Sequence, residues 1–206
     1  MTALAYKSVS DNYISVKEYL EGEKISHIKH EYINGQVVAM AGASLKHNII
    51  SANIFALLWN HLKDKSCFPL SSDMLLETSS TQYRYPDVMV VCDNDSSEDD
   101  YIRKNPLIII EVLSKTTRKK DKVEKRKEYL ALSSLQEYIL IEQDFAEIDV
   151  QQRSENWRSS YYYLGDQITL KSVDITLSVE DIYQRIDNND IQDFLRQKKE
   201  QKQQEE

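Results

Sequence analysis

The sequence predicts a single α/β domain, a central sheet flanked by helices and entered through a β-hairpin near the N-terminus. Three features lead there. Asn34-Gly35 lies between Glu31-Tyr32-Ile33 and Gln36-Val37-Val38, and a two-residue turn with φ > 0 at both positions is the turn that joins twisted antiparallel strands. Ser44 to Leu62 places Ile50, Ile54, Leu57, Leu58 and Leu62 at the spacing of one helix face. Ile108-Ile109-Ile110, a basic helical stretch from about Lys119 to Leu132, and Tyr138-Ile139-Leu140-Ile141 then follow one another. Strand, helix and strand in that order form a crossover unit with parallel strands.

Taken from the start, residues 1–14 show no period and are expected to form a loose arm. Residues 15–186 form the domain, and residues 187–206, rich in Gln, Lys and Glu, a polar helix or a disordered tail. Ser15 followed by Glu18 fits a capping box, with Val16, Tyr19 and Leu20 on one face of a short helix. Phe68 to Glu77 reads as one strand, in which Asp73 is out of place. Asp93 to Asn105 is acid-rich but lacks the glycine and closing glutamate of a calcium loop, so a solvated connection is expected. In the basic helix Val123 and Leu130 are expected to face inward. Ala146 to Gln152, Trp157 to Leu164 and Gln167 to Lys171 read as strands, and Val179 to Ile186 as a short helix.

With 206 residues, 41% hydrophobic and 29% charged, the chain suffices for one good core. No apolar run reaches bilayer length, and the N-terminus lacks the basic-then-apolar pattern of a signal peptide. Cys67 and Cys92 match no metal spacing. A reduced, cytoplasmic protein is expected, without membrane contact or organic cofactor. The net charge of −8 argues against a polyanionic partner, yet Lys115 to Lys127 holds eight Lys or Arg against Asp121 and Glu124. Such a strip can attract a polyanion locally; a solvated helix face explains it as well.

The chemistry concentrates between Tyr83 and Ser114. Tyr85-Pro86-Asp87-Val88-Met89-Val90-Val91-Cys92 and Pro106-Leu107-Ile108-Ile109-Ile110-Glu111-Val112-Leu113-Ser114 are apolar segments, each carrying one acid. A buried unpaired carboxylate is costly, so two of them on neighbouring strands suggest a shared positive partner. Hard oxygen ligands suit Mg2+ or Mn2+, and the Val112 backbone carbonyl can add a further ligand. Alternatively, Asp87 caps a turn after Pro86 and a nearby lysine neutralises Glu111.

Pro86-Asp87 followed by Glu111-Val112-Leu113-Ser114 resembles the PD-(D/E)xK nuclease superfamily. Glu111-Val112-Leu113-Ser114-Lys115-Thr116-Thr117-Arg118, continuing to Asp121, Lys125 and Tyr129, is similar to the longest motif of the Uma-type restriction endonuclease family of bacteria. Glu137-Tyr138, the Glu31-Tyr32-Ile33-Asn34-Gly35 hairpin and His47 match as well, so that the resemblance spans roughly Val16 to Ile186. It implies a restriction-endonuclease-like mixed central sheet and a Mg2+-dependent (or Mn2+-dependent) endonuclease acting on DNA. Asp87 and Glu111 would hold the ion, with Val112 and Glu31 as further ligands. The usual motif lysine is replaced by Leu113, and the resemblance implies that Lys125, from the following helix, assists the attacking water in its place. Lys115, Arg118, Lys119 and Lys120 are expected to grip phosphates, and His47, Asp121 and Tyr129 to lie near the site. Tyrosines 161–163 would stack on bases or simply pack in a sheet. A two-fold homodimer would suit cleavage of both strands. The alternative is an inactive nuclease-fold protein that binds DNA or regulates.

Overall fold

The computed structural model describes residues 13–95 and 97–205, so most of the expected N-terminal arm lies outside the described residues. The first helix, α1 (Val16–Glu23), starts at the predicted capping box: the Ser15 hydroxyl accepts from the Glu18 amide while Glu18 reaches back to the Ser15 amide. The hairpin β1 (His30–Ile33) and β2 (Gln36–Ala39) turns on Asn34 and Gly35, with φ of 49° and 93°. Helix α2 (Leu45–Leu62) is capped by Ser44 and buries Ile50, Ile54, Leu58 and Leu62.

Where one strand is expected over Phe68–Glu77, two form, β3 (Cys67–Ser71) and β4 (Leu75–Ser79). The pattern is broken at Ser72–Asp73, and Asp73 turns outward to pair with Lys29 at 2.7 Å. Next come β5 (Gln82–Arg84), β6 (Val88–Cys92), the two-residue β7 (Ile102–Arg103) within the acidic connection, and β8 (Ile108–Leu113). A π-helical segment (Lys120–Lys125) runs into α3 (Arg126–Leu130), followed by β9 (Glu137–Glu142), β10 (Ile148–Gln152) and β11 (Ser159–Tyr162). The chain closes with β12 (Gln167–Leu170), β13 (Ile175–Ser178), α4 (Val179–Ile182) and α5 (Asn189–Glu205). The polar C-terminal segment is thus helical as far as Glu205.

Two sheets carry the architecture. A mixed six-stranded sheet has the order β11-β10-β9-β8-β6-β3, and a five-stranded sheet the order β2-β1-β5-β4-β7; β12 and β13 pair separately. The crossover expectation holds: β8 and β9 are parallel, with the π-helix and α3 between them in the chain. Strand alternation assigns the two faces of the large sheet. Val88, Val90, Ile108, Ile110 and Val112 pack with α2, while Met89, Val91, Ile109 and Leu113 pack with Tyr129, Tyr138 and Leu140. Each fully buried isoleucine contributes about 1.5–3 kcal/mol relative to exposure. A third cluster, Tyr19, Tyr32, Leu75, Tyr83, Tyr85 and Ile102, seats α1 on the small sheet.

The β3–β6 register sets Cys67 opposite Cys92, with Cα atoms 3.9 Å apart, and the two are joined as a disulfide. This corrects the expectation of reduced, unrelated thiols; spacing along the chain carries no information about cross-strand register. No helix among the described residues is long and apolar enough to cross a membrane.

Candidate active site

Sheet register builds the centre of the site. Val88 pairs with Ile110 and Met89 with Ile109, so one further step sets Asp87 opposite Glu111. Both lie on the face shared with Met89 and Ile109, the face covered by α3. The Asp87 carboxylate is fixed by two contacts at Oδ2: the Val112 amide donates to it at 2.7 Å, and His47 Nε2 lies 3.1 Å away. His47 reaches it from the first turn of α2.

Glu111 is almost fully buried, and two groups donate to its Oε1, Lys125 Nζ at 2.9 Å and the Tyr129 hydroxyl at 2.8 Å. Lys125 is 7% exposed, which excludes a solvent-facing pair with Asp121. Its ammonium also lies 3.2 Å from Asp121 Oδ1 and 3.4 Å from Glu31 Oε1. Leu113 is buried in the second core cluster, so the place of the motif lysine is apolar, and the amine beside Glu111 is that of Lys125.

The π-segment aligns these groups. Four α-helical residues overshoot one turn, whereas four residues with i→i+5 bonding fall short of one. The step from Asp121 to Lys125 is π-helical and the step from Lys125 to Tyr129 mainly α-helical, so the two deviations offset and all three side chains are buried together. The wider turn also leaves Val123 59% exposed, contrary to its expected inward position. The Tyr138 hydroxyl donates to the Asp121 carbonyl and ties the segment to β9.

From the small sheet come Glu31 and Arg84. Glu31 is buried; Arg84 Nη1 donates to its Oε2 at 2.9 Å, and Lys120 donates to the same atom. Arg84 is not among the residues the sequence singled out. The only signal was one arginine between Tyr83 and Tyr85 just before the Pro86-Asp87 pair.

The basic strip divides. Lys115 and Lys119 are exposed. Arg118 instead forks onto the buried Glu142 carboxylate, which also accepts from Lys122 at 3.0 Å, and Lys120 turns in to Glu31. Arg118 and Lys120 are therefore engaged by carboxylates rather than presented as free cations. Of the tyrosines, Tyr161 and Tyr163 are about half exposed, at 51% and 50%, beside the edge of the large sheet.

Charge does not balance within the cluster. Arg84, Lys120 and Lys125 face Glu31, Asp87, Glu111, Asp121 and Glu128. Three cations against five carboxylates leave two negative charges over when His47 is uncharged and Glu111 is ionised, and one while Glu111 keeps its proton. The electrostatics follow. Burial pushes Glu111 up; Lys125 opposes this, but the charges of Asp121 and Asp87 add to it, and its pKa settles at about 8. Burial also pushes Glu31 up, yet Lys125, Arg84 and Lys120 together hold it at about 2. Burial disfavours the Lys125 ammonium, but Glu111, Glu31 and Asp121 outweigh it and raise that group well above its usual value.

A family model described as Uma2, "Putative restriction endonuclease", matches residues 16–180. The chain belongs to the Uma2 family. Among its relatives, uncharacterized protein slr1290 of Synechocystis sp. is 34% identical over 173 residues, covering 82% of this chain and 91% of the relative. Uncharacterized protein sll1609 of the same organism is 36% identical over 133 residues, covering 63% and 75%. A crystal structure described as a putative nuclease belonging to DUF820, from Anabaena variabilis, superposes with a TM-score of 0.65 at 18% identity, covering 82% of this chain and 97% of that one. At that identity the likeness establishes the fold, which is of the nuclease type with a mixed sheet flanked by helices.

Among the described residues no three of His, Cys, Asp and Glu form a ready metal cage. Mg2+ does not require one: it is commonly held by one or two carboxylates and keeps several waters. The surplus of carboxylates over cations, which reaches two charges once Glu111 gives up its proton, fits a divalent cation; Glu31 Oε1 and Asp121 Oδ1 flank the Lys125 ammonium without accepting a hydrogen bond.

Proposed function

We propose that this protein is a metal-dependent endonuclease that hydrolyses phosphodiester bonds in DNA. The observation that carries the reading is the convergence of Asp87 and Glu111 on paired strands with a buried Lys125 on Glu111 and more carboxylates than cations around it. Asp87 and Glu111 hold Mg2+ or Mn2+, the Val112 carbonyl adds a ligand, and Glu31 completes the set from β1. When bound, the ion supplies Lewis-acid stabilisation to the phosphoryl oxygens.

The chain's own residues do the rest. Val112 N–H and His47 fix the Asp87 carboxylate in one orientation. Tyr129 fixes Glu111, and Asp121 keeps the Lys125 ammonium in place. Lys125 orients the attacking water and stabilises charge building on the phosphate, in a site already shielded from bulk solvent. Exposed Lys115 and Lys119 meet DNA phosphates, and two copies of the chain, related by a two-fold axis, would address both strands.

Leu113 at the motif-lysine position favours a second reading, an inactive nuclease-fold module that binds DNA or regulates. A cleavage assay on linear and supercoiled DNA with Mg2+ or Mn2+ separates the two, run on the parent, Asp87→Ala and Glu111→Ala. The enzyme reading expects cleavage by the parent alone. Equal cleavage by all three proteins, or none by any, would overturn it, and retention of DNA without cleavage would support the module.

A further inference from the structure

The geometry points to Arg84 as the positioning residue of this site, the group that sets Glu31 and Lys125 against each other. This rests on the nuclease reading for its consequence, but its geometric content does not.

Arg84 ends β5, and the β1–β5 pairing of Tyr32 with Tyr83 sets it one step on, opposite Glu31. Its side chain is fully buried. A buried guanidinium is tolerated only when its donors are met by well-placed acceptors. Here Nε donates to Glu128 Oε2 at 2.8 Å, Nη2 to Glu128 Oε1, and Nη1 to Glu31 Oε2 at 2.9 Å. One planar group therefore grips two carboxylates on different elements. Glu31 belongs to the small sheet, and Glu128 belongs to α3, three residues after Lys125 and one before Tyr129.

Two consequences follow. The helix that delivers Lys125 and Tyr129 to Glu111 is fastened to β5 through Glu128, so the approach of the amine depends on the fork. Glu31 is also held by one oxygen only: Arg84 and Lys120 occupy Oε2, while Oε1 has no hydrogen-bond donor and lies 3.4 Å from the Lys125 ammonium. Arg84 thereby decides which Glu31 oxygen faces the Lys125 ammonium. It makes no contact with Asp87 or Glu111 among its hydrogen bonds and ion pairs, and acts through Glu31 and Glu128. Lysine cannot substitute, because a single ammonium lacks the rigid fork that meets Glu128 with two donors while a third reaches Glu31.

The test compares the parent with Arg84→Lys, which keeps the charge and loses the fork. The first readout is the hydrogen-exchange rate of the Lys125 ammonium in 15N-lysine-labelled protein, assigned by its loss in Lys125→Arg. The second is Mn2+ affinity by titration. In Arg84→Lys the ammonium should exchange at least about tenfold faster, and Mn2+ should bind roughly 10–100-fold more weakly, as for loss of a group that orients a ligand. Cleavage should fall in kcat rather than rise in KM. If Arg84→Lys loses its cooperative melt, Glu128→Gln, which loosens only the helix half of the clamp, is read in its place with the same expectation. A variant that melts earlier yet keeps both ammonium exchange and Mn2+ affinity within about twofold of the parent would make Arg84 a structural strut and overturn the proposal. A parent that binds no Mn2+ would instead sink the nuclease reading, and the ammonium exchange alone would then decide the role of Arg84.

Discussion

Replacing Lys125 by Met removes a buried cation that stands between three carboxylates, at 2.9 Å from Glu111, 3.2 Å from Asp121 and 3.4 Å from Glu31. The methionine stem fills most of the same space, so the loss is electrostatic. Breaking a buried pair by deleting one partner costs about 3–5 kcal/mol, which for a chain of this size corresponds to a fall in Tm of about 6–20 °C. The size of the loss should depend on pH. Without Lys125, Glu31 loses its strongest charge partner and Glu111 loses the group opposing its burial, so both carboxyls rise. The native variant then binds more protons than its unfolded chain over a wider range, and its stability falls more steeply as pH rises. Urea unfolding of parent and variant at pH 5.5 and 8.5 measures this. A difference below about 1 kcal/mol at pH 8.5, or one that does not shrink at pH 5.5, would refute the picture of Lys125 as the hub of a buried charge cluster.

Other consequences can be measured directly. Burial pushes the Glu111 carboxyl in the folded chain up from its ordinary 4.5 to about 8; because the folded state holds that proton longer, stability should decline between these two pH values, and Glu111→Gln should flatten the decline. A cation entering the cluster must displace that proton, so Mn2+ should raise Tm more at pH 8.5 than at pH 6, and equal shifts would contradict the assignment of Glu111 as a ligand. Gly35→Ala should cost about 1–3 kcal/mol in urea unfolding, since φ there is +93° and an added Cβ would lie 2.3 Å from the Tyr13 ring; a neutral substitution would show the hairpin to be freer than described. Replacing Lys115 or Lys119 by Gln should lower the slope of log K against log salt for DNA binding by about 0.9 each; the proposed contacts are wrong if neither substitution changes the slope.

Much of the fold was legible because local chemistry and tertiary structure agree. The capping box at Ser15 and the Asn34-Gly35 turn are each specified within four residues of chain, and both form. The acids at 87 and 111 stood out because the strands around them are otherwise apolar. What escaped notice depends on partners distant in sequence. Arg84 meets Glu31 and Glu128, 53 and 44 residues away. Cys92 meets Cys67 only through the register of β3 on β6. Arg118 and Lys120 looked like free cations because Glu142 and Glu31, which engage them, lie in strands distant in sequence. Val123 was misplaced because an α-helical period was applied to a segment that winds more widely.

The candidate site takes its members from both sheets: Asp87 and Glu111 lie with the large one, Glu31 and Arg84 with the small one, and the π-helix and α3 bridge the seam. Neither sheet alone contains a complete set. A nascent or partly unfolded chain in which only one sheet has formed would hold scattered carboxylates and no assembled cluster. Completion of the site is therefore tied to the docking of the two sheets, and occupancy by a cation would report on that last step of assembly.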